Sequence, residues 1–337
     1  MLPDLILLAG SLGIILLASY LFTNGIELLG SRIHFHQAAT GSILAAVGTA
    51  LPETIIPIIA ILLYRDTAAQ QIGIGAIVGA PFMLATLAFF VTGAAALVFT
   101  AMGRRSRALR IDPVLVARDL AWFLVLYGTA VALGGFAAPR GLRCGVAAAL
   151  VAGYVLYVRR TLAAESPENE AHHPLLLARL FGVRSGGAWI AVQVIASLAI
   201  MTGGAHAFVG AVKALSADLG VSAAVLSILV TPVATELPEK LNSVIWVGQR
   251  KDTLAMGNIT GAMVFQGAFP VAVGMLFTPW DLHGAPAVSA LLAMAGAAVV
   301  LAWVRWRRSL SPFVLLAGCL LYALFVAYIV AGSGTRF

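Results

Sequence analysis

The chain has 337 residues, of which 21 are Lys or Arg and 14 are Asp or Glu, so only 10% are charged. A soluble globular domain carries roughly 25%. Apolar residues reach 61% and the mean hydropathy is +0.98. These values exclude a soluble or disordered chain, and the pI of 9.8 reflects scattered basic residues rather than a nucleic-acid-binding run. What remains is an integral membrane protein.

A helical span needs roughly 20 apolar residues. Ten fit, at about 4–29, 38–63, 67–101, 113–136, 141–158, 186–213, 221–248, 253–279, 284–304 and 311–331. The apolar stretches are too long and continuous for a β-barrel, whose strands alternate over about ten residues. Met1 to Asp4 lacks a basic leader, so the first span is expected to remain. Asn24 and Glu27 close that span, with Glu27 read as an interfacial group near Arg32. His34 and His36 in a short connection, and His172 and His173 in the hydrophilic stretch after the fifth span, read as solvated or interfacial groups. Arg118 and Asp119 in the fourth span are expected to pair with neighbours. Asn258 and Thr260 in the eighth span suit either cation ligation or hydrogen bonds between helices. Asp66 and Asp252, each followed by Thr, read as helix N-caps. Cys144 and Cys319 lie in apolar stretches and imply neither a disulfide framework nor a zinc site.

Basic residues set orientation. With the N-terminus outside, the inner connections hold Arg32, then Arg104, Arg105, Arg107 and Arg110, then Arg159, Arg160, Arg179 and Arg184, then Arg250 and Lys251, then Arg305, Arg307 and Arg308. The outer side holds only Arg65, Arg140, Arg143, Lys213 and Arg336. Both termini are therefore expected outside a plasma membrane of the prokaryotic inner-membrane type.

The chain repeats itself. Val47-Gly48-Thr49-Ala50-Leu51-Pro52-Glu53 matches Val233-Ala234-Thr235-Glu236-Leu237-Pro238-Glu239 at a separation of 186 positions. The match continues without a gap, pairing Ile59 with Ile245, Asp66-Thr67 with Asp252-Thr253, and Gly75-Ala76 with Gly261-Ala262. Five spans per half invert the second copy across the membrane, as in secondary transporters. The expected division is a first five-helix repeat over 1–160, a cytoplasmic linker over 161–185 and a second, inverted repeat over 186–337. The fold class is thus all-α, with about ten transmembrane helices and Pro-broken helices at mid-membrane.

Pro52 and Pro238 each remove a backbone donor and free the carbonyl four residues earlier, on Gly48 and Ala234. In hydrocarbon such carbonyls persist only inside protein or beside a polar cavity. Each also stands next to a threonine, Thr49 or Thr235, and near a glutamate, Glu53 or Glu239. A mid-membrane carboxylate costs roughly 2.5–3.5 kcal/mol even on the lenient insertion scale. Two of them at matched positions, with hydroxyls and free carbonyls, form an oxygen set suited to a hard cation. Glu236 stands four residues before Lys240. It reads either as half of an intrahelical ion pair or as a third carboxylate of the cation site.

The paired T-x-L-P-E motifs resemble the signature repeats of the sodium/calcium exchangers, within the calcium/cation antiporter superfamily. The glycine-rich segment Gly257-Asn258-Ile259-Thr260-Gly261-Ala262-Met263-Val264-Phe265-Gln266, beginning 18 residues after Glu239, resembles the family's G-N-x-x-G-S-N-x-x-N segment. The resemblance implies cation ligation by Glu53, Glu239, Thr49 and Thr235, and by Gln266 in place of the final asparagine. It also implies alternating access, with the first and sixth spans sliding past the core. The motif serine is replaced by Ala50 in the first copy and Glu236 in the second. The G-S serine is replaced by Ala76 and Ala262, and the first copy has Ala80 where the second has Gln266. The small hydroxyls expected of sodium sites are therefore missing.

The resemblance implies a secondary active antiporter that exports Ca²⁺ in exchange for Na⁺ or H⁺. Proton coupling, another cation, or a non-transporting sensor on the same scaffold are the alternatives. An intramembrane enzyme is disfavoured, for there is no H-E-x-x-H and no nucleophile–base constellation. No permanently bound cofactor and no nucleic-acid partner are expected. The partners are the lipid bilayer and inorganic cations.

Overall fold

The computed structural model describes residues 1–32, 51–64, 66–136, 138–164, 175–176 and 186–333. Among these the chain forms twelve helices. They are α1 (Leu2–Arg32), α2 (Leu51–Ile59), α3 (Thr67–Met83), α4 (Phe89–Ala101), α5 (Pro113–Gly134), α6 (Arg140–Ala164), α7 (Gly187–Leu219), α8 (Ala223–Gly248), α9 (Asp252–Gln266), α10 (Phe269–Phe277), α11 (Ala285–Arg307) and α12 (Pro312–Ser333). Among the described residues, eight apolar segments are long enough to cross a bilayer, and two shorter apolar helices lie at Glu53–Tyr64 and Ala223–Val233. The protein is a multi-pass membrane protein, nearly all helical among the described residues, and about ten spans describe it.

Local chemistry fixes the helix ends. Asp66 caps α3 by accepting from the Ala69 N–H at 2.8 Å. Asp112 caps α5, with Pro113 as the first helical residue. Ser222 caps α8 through the Val225 N–H. Gly220, at φ +64°, ends α7 in a left-handed turn.

Prolines shape the interiors. Pro57 in α2 precedes a π-helical stretch at Ala60–Tyr64, and Pro81 in α3 precedes another at Leu84–Ala88. A missing N–H loosens the hydrogen-bond ladder, and a wide turn takes up the slack. Helical geometry continues through Pro232 and Pro238 in α8, so these prolines remove donors without ending the helix. The outright interruption falls in the eighth span instead. There α9 stops at Gln266, and α10 begins at Phe269 with Pro270 in its first turn.

Hydrogen bonds between connections sort the two faces of the bundle. The Arg250 guanidinium donates to the Arg104 carbonyl, Leu109 pairs with Leu310, and Arg105 pairs with Asp252. The α4–α5, α8–α9 and α11–α12 connections therefore share one face. At the opposite ends of these helices, Lys213 meets Asp66, Leu282 bonds Gly134, and Arg143 bonds the Thr278 carbonyl. The sequence-equivalent turns at Asp66 and Asp252 thus lie on opposite faces, as an inverted arrangement requires.

Two apolar clusters hold the bundle. The smaller, with Ile15, Ile56, Ile72 and Phe208, joins α1, α2, α3 and α7. The larger, with Phe82, Phe123, Met263 and Trp280, joins α3 to α6 with α8 to α12. Gly75 and Gly79 let α3 lie directly on α8. A Cβ on Gly75 would sit 2.6 Å from the Ala224 carbonyl oxygen, and one on Gly79 would sit 3.0 Å from that of Ile228. Such close backbone approach is how helices associate where lipid removes the hydrophobic driving force.

Candidate functional site

The polar centre grows from α8. Ser227, Thr231 and Thr235, at a spacing of four, are all buried, as is Ser243 further along the helix. A four-residue step keeps side chains on one helix face. The Ser227 hydroxyl donates to the Ile72 carbonyl of α3 at 2.8 Å and lies 3.1 Å from the Thr231 hydroxyl. The Thr235 hydroxyl donates to the Thr231 carbonyl at 3.0 Å. At the other end, the Ser243 hydroxyl donates to the Ala255 carbonyl of α9. The hydroxyl stripe thus starts against the third span and ends against the eighth.

Two carboxylates are buried on α8 and on its neighbour α2. Glu53, in the first turn of α2, is 4% exposed, and Glu236 on α8 is 2% exposed. Helix α2 packs on both α3 and α8. The Glu236 Oε1 accepts from the Gln266 Nε2 at 3.2 Å. The Gln266 Oε1 is buried and has no hydrogen-bond partner among the described residues. A buried acceptor without a donor has an unmet electrostatic demand that a cation satisfies. Gln266 is also the last residue of α9, where the negative end of the helix dipole reinforces that demand. Glu236 on α8 and Gln266 at the interruption of the eighth span thus share a buried polar contact, and Glu53 is buried on α2, which packs against α8.

The structure brings together Glu236 and Gln266 and places Thr235 and Glu53 on adjoining helices. Glu236 faces the end of α9 through Gln266, whichever role it has toward Lys240. Gly48 and Thr49 lie outside the described residues, as do the side chains of Ala234, Glu239 and Lys240. The side chains of Glu27 and Arg32, and all of His34, His36, His172 and His173, also lie outside them. Asn258 is half-buried on α9. Its neighbour Thr260 makes a helix–helix bond, donating to Asp119 Oδ2 at 2.9 Å.

Asp119 anchors a second buried network. Its Oδ1 accepts from Arg118 Nη2 at 3.0 Å and from the Tyr157 hydroxyl at 3.1 Å. The fourth, fifth and eighth spans are tied through this one carboxylate. The expected pairing of Arg118 and Asp119 with neighbours is what the structure contains.

One expected cap is corrected. Asp66 caps α3, but Asp252 does not cap α9, and Lys251 occupies the N-cap position instead. Asp252 accepts from Arg105 Nη1 and Nη2, both at 2.7 Å, and from the Arg110 N–H at 2.7 Å. The guanidinium holds both carboxylate oxygens in a bidentate clasp, leaving them unsuited to capping.

Sequence reasoning missed three features. The four-residue polar spacing along α8 was legible as a pattern of Ser, Thr and Glu. The Arg105–Asp252 clasp was not, because four arginines share that loop and nothing distinguishes one of them. The third is a link between α1 and α7, where Gln193 Nε2 donates to Asn24 Oδ1 at 2.9 Å and to the Leu21 carbonyl at 2.7 Å.

Fold and site together define a polytopic membrane protein with carboxylates buried between broken and proline-bearing helices. The family profile described as "Sodium/calcium exchanger protein" matches residues 4–162 and 189–331. The chain belongs to the sodium/calcium exchanger family, whose members are transporters and not enzymes. The chain is similar to the inner membrane protein YrbG of Escherichia coli (strain K12), 22% identical over 276 residues, covering 81% of this chain and 79% of that protein. The putative antiporter CaxA of Alkalimonas amylolytica is 25% identical over 138 residues, covering 41% of this chain and 43% of that protein's length. Among solved structures, the H⁺/Ca²⁺ exchanger CAX superposes with a TM-score of 0.73 at 16% identity, over 97% of this chain and 86% of that chain. The sodium–calcium exchanger NCX_Mj superposes with a TM-score of 0.59 at 18% identity, over 97% of this chain and 98% of that chain. At these identities the structural likeness concerns the fold.

Proposed function

We propose that the protein is a secondary active cation antiporter that exports Ca²⁺ in exchange for Na⁺ or H⁺ by alternating access. Glu53 and Glu239 are its paired carboxylates. Thr49, Thr235, Glu236, Gln266 and Asn258, with the carbonyls of Gly48 and Ala234, supply further oxygen. The observation that carries this reading is the burial of Glu53 and Glu236 with the Gln266 carbonyl oxygen inside an apolar bundle. Carboxylates there are costly unless a cation or proton neutralises them. Ca²⁺ takes six to eight oxygen ligands and suits a set rich in carboxylates and carbonyls.

Exchange follows from charge. A site holding several carboxylates crosses the membrane readily only when neutralised, whether by one divalent ion, by monovalent ions or by protons. Competition for that set couples the two fluxes. Protons are the counter-ion the residues favour. A glutamate, Glu236, stands where the family pattern has a serine, and Ala50, Ala76 and Ala262 remove other hydroxyls. The two-repeat division at 1–160 and 186–337 belongs to the same reading. So does an orientation with the Arg-rich α4–α5, α8–α9 and α11–α12 face toward the cytoplasm and both termini outside a plasma membrane.

The test is ion flux in proteoliposomes. Ca²⁺ uptake should be driven by an opposing pH or Na⁺ gradient and should be negligible without one. Glu53→Gln and Glu239→Gln should each abolish it. Full activity in either variant would refute the paired-carboxylate site, and gradient-independent uptake would refute antiport.

A further inference from the structure

Between the first turns of α5 and the last turns of α11 lies an open cavity of about 430 Å³. Its lining combines apolar residues, among them Val114, Ala117 and Val304, with three arginines, Arg118, Arg305 and Arg308. Arg118 is held in place by Asp119 and lies 5.7 Å over the Tyr157 ring. Arg305 and Arg308 are exposed, and among the described residues no carboxylate pairs with them. Arg308 closes α11 with φ +52°, turning the chain at the mouth of the cavity.

The surroundings place this cavity at a membrane–water boundary. Trp303 and Trp306 stand on the same last turns of α11, and Arg307 stacks 4.6 Å over the Trp306 ring. Tryptophan at the ends of apolar helices marks the headgroup level. The neighbouring connections add Arg104, Arg107, Arg110, Arg250 and Lys251 to the same face.

We propose that this cavity is a binding site for an anionic phospholipid. Its phosphate would lie between Arg305 and Arg308, with Arg118 behind it, and an acyl chain would lie against Val114, Ala117 and Val304. The case rests on charge complementarity and on the mixed lining. The guanidiniums of Arg305 and Arg308, which no carboxylate among the described residues pairs, match a phosphodiester, and the apolar lining residues match the hydrocarbon that only a lipid brings with its phosphate. Asp112, the cap of α5, is directed to the Val114 and Leu115 N–H groups and is not part of the lining.

The experiment titrates the full chain, purified in a mild detergent, with phosphatidylglycerol, phosphatidylcholine or inorganic phosphate. Retained adducts are counted by native mass spectrometry. Phosphatidylglycerol should be retained at least about 25-fold over phosphatidylcholine, for two basic contacts at about fivefold each. The double variant Arg305→Gln/Arg308→Gln should lower phosphatidylglycerol retention by about twentyfold on the same basis. Arg305→Lys/Arg308→Lys should keep most of it. Arg307→Gln, outside the cavity lining, should change it by less than about twofold. Equal retention of the two lipids would overturn the proposal, and so would an unaffected double Gln variant. Tight binding of inorganic phosphate without lipid would assign the site to a soluble anion and overturn the lipid reading. The headgroup comparison uses the wild-type chain and stands even if a variant misfolds.

Discussion

Two turns of the same sequence origin have been put to opposite physical uses. Asp66-Thr67 and Asp252-Thr253 occupy matching places in the repeat, and each aspartate meets a basic residue from a distant segment. Asp252 and Arg105 are 1% and 3% exposed, and the guanidinium also donates to the carbonyls of Ser106, Ala108 and Val247. Asp66 and Lys213 are 43% and 31% exposed, at 2.5 Å, with the ammonium 5.1 Å over the Tyr64 ring. Tyr64 in turn donates to the His206 carbonyl and stacks on its ring. The first is a saturated clasp between loops on the Arg-rich face. The second is a solvated latch between α3 and α7 on the opposite face. The matching sequence positions do not share a backbone role, since Asp66 caps α3 whereas Asp252 lies within α9, and their exposure differs as sharply.

Breaking the clasp should have the largest effect. Arg105→Ala strands a buried carboxylate and should cost about 3–5 kcal/mol of unfolding free energy in detergent. A loss below about 1 kcal/mol would put the two turns on an equal footing and end the contrast. Lys213→Ala should cost less than about 1 kcal/mol, and that small loss should shrink further in high salt, because exposed pairs are screened. The smallest effect is one of pH. The Lys213 ammonium, and then the Ala69 N–H, hold the Asp66 carboxyl below its ordinary value of 3.8. A depressed folded pKa adds stability that is present above the ordinary value and lost as pH falls through the depressed one. The stability difference between wild type and Lys213→Ala should therefore be flat from neutral pH down to the ordinary carboxylate range and vanish below it. A difference that changes near pH 6 would mean that another group, not Asp66, carries the latch.

Span count, inversion and the sharing of faces were legible in the sequence because bilayers impose length and charge asymmetry on every span. The gapless match around Glu53 and Glu239 pointed to the proline-bearing helices, because costly carboxylates at matched positions are hard to explain otherwise. The interruption after Gln266 was harder to read. Its signals are Gly267 and Pro270, which resemble the many tolerated glycines and prolines elsewhere in these spans. At Asp252 the local sequence favours capping, but a guanidinium brought from another loop offers it two stronger bonds. Partner choice across distant segments has no local signature, and that is why Arg105 and Gln193 carried none.

The bond from Gln193 to Asn24 has a mechanical consequence. Gln193 is fully buried, and its two donated bonds fasten α7 to both a side chain and the backbone of α1. Two rods riveted near one end move as a single lever. Paired spin labels on α1 and α7 should therefore read one constant distance through a transport cycle, while labels between α7 and α3 should report two. That separation would make the α1–α7 pair a built-in ruler against which every other displacement in the bundle is measured.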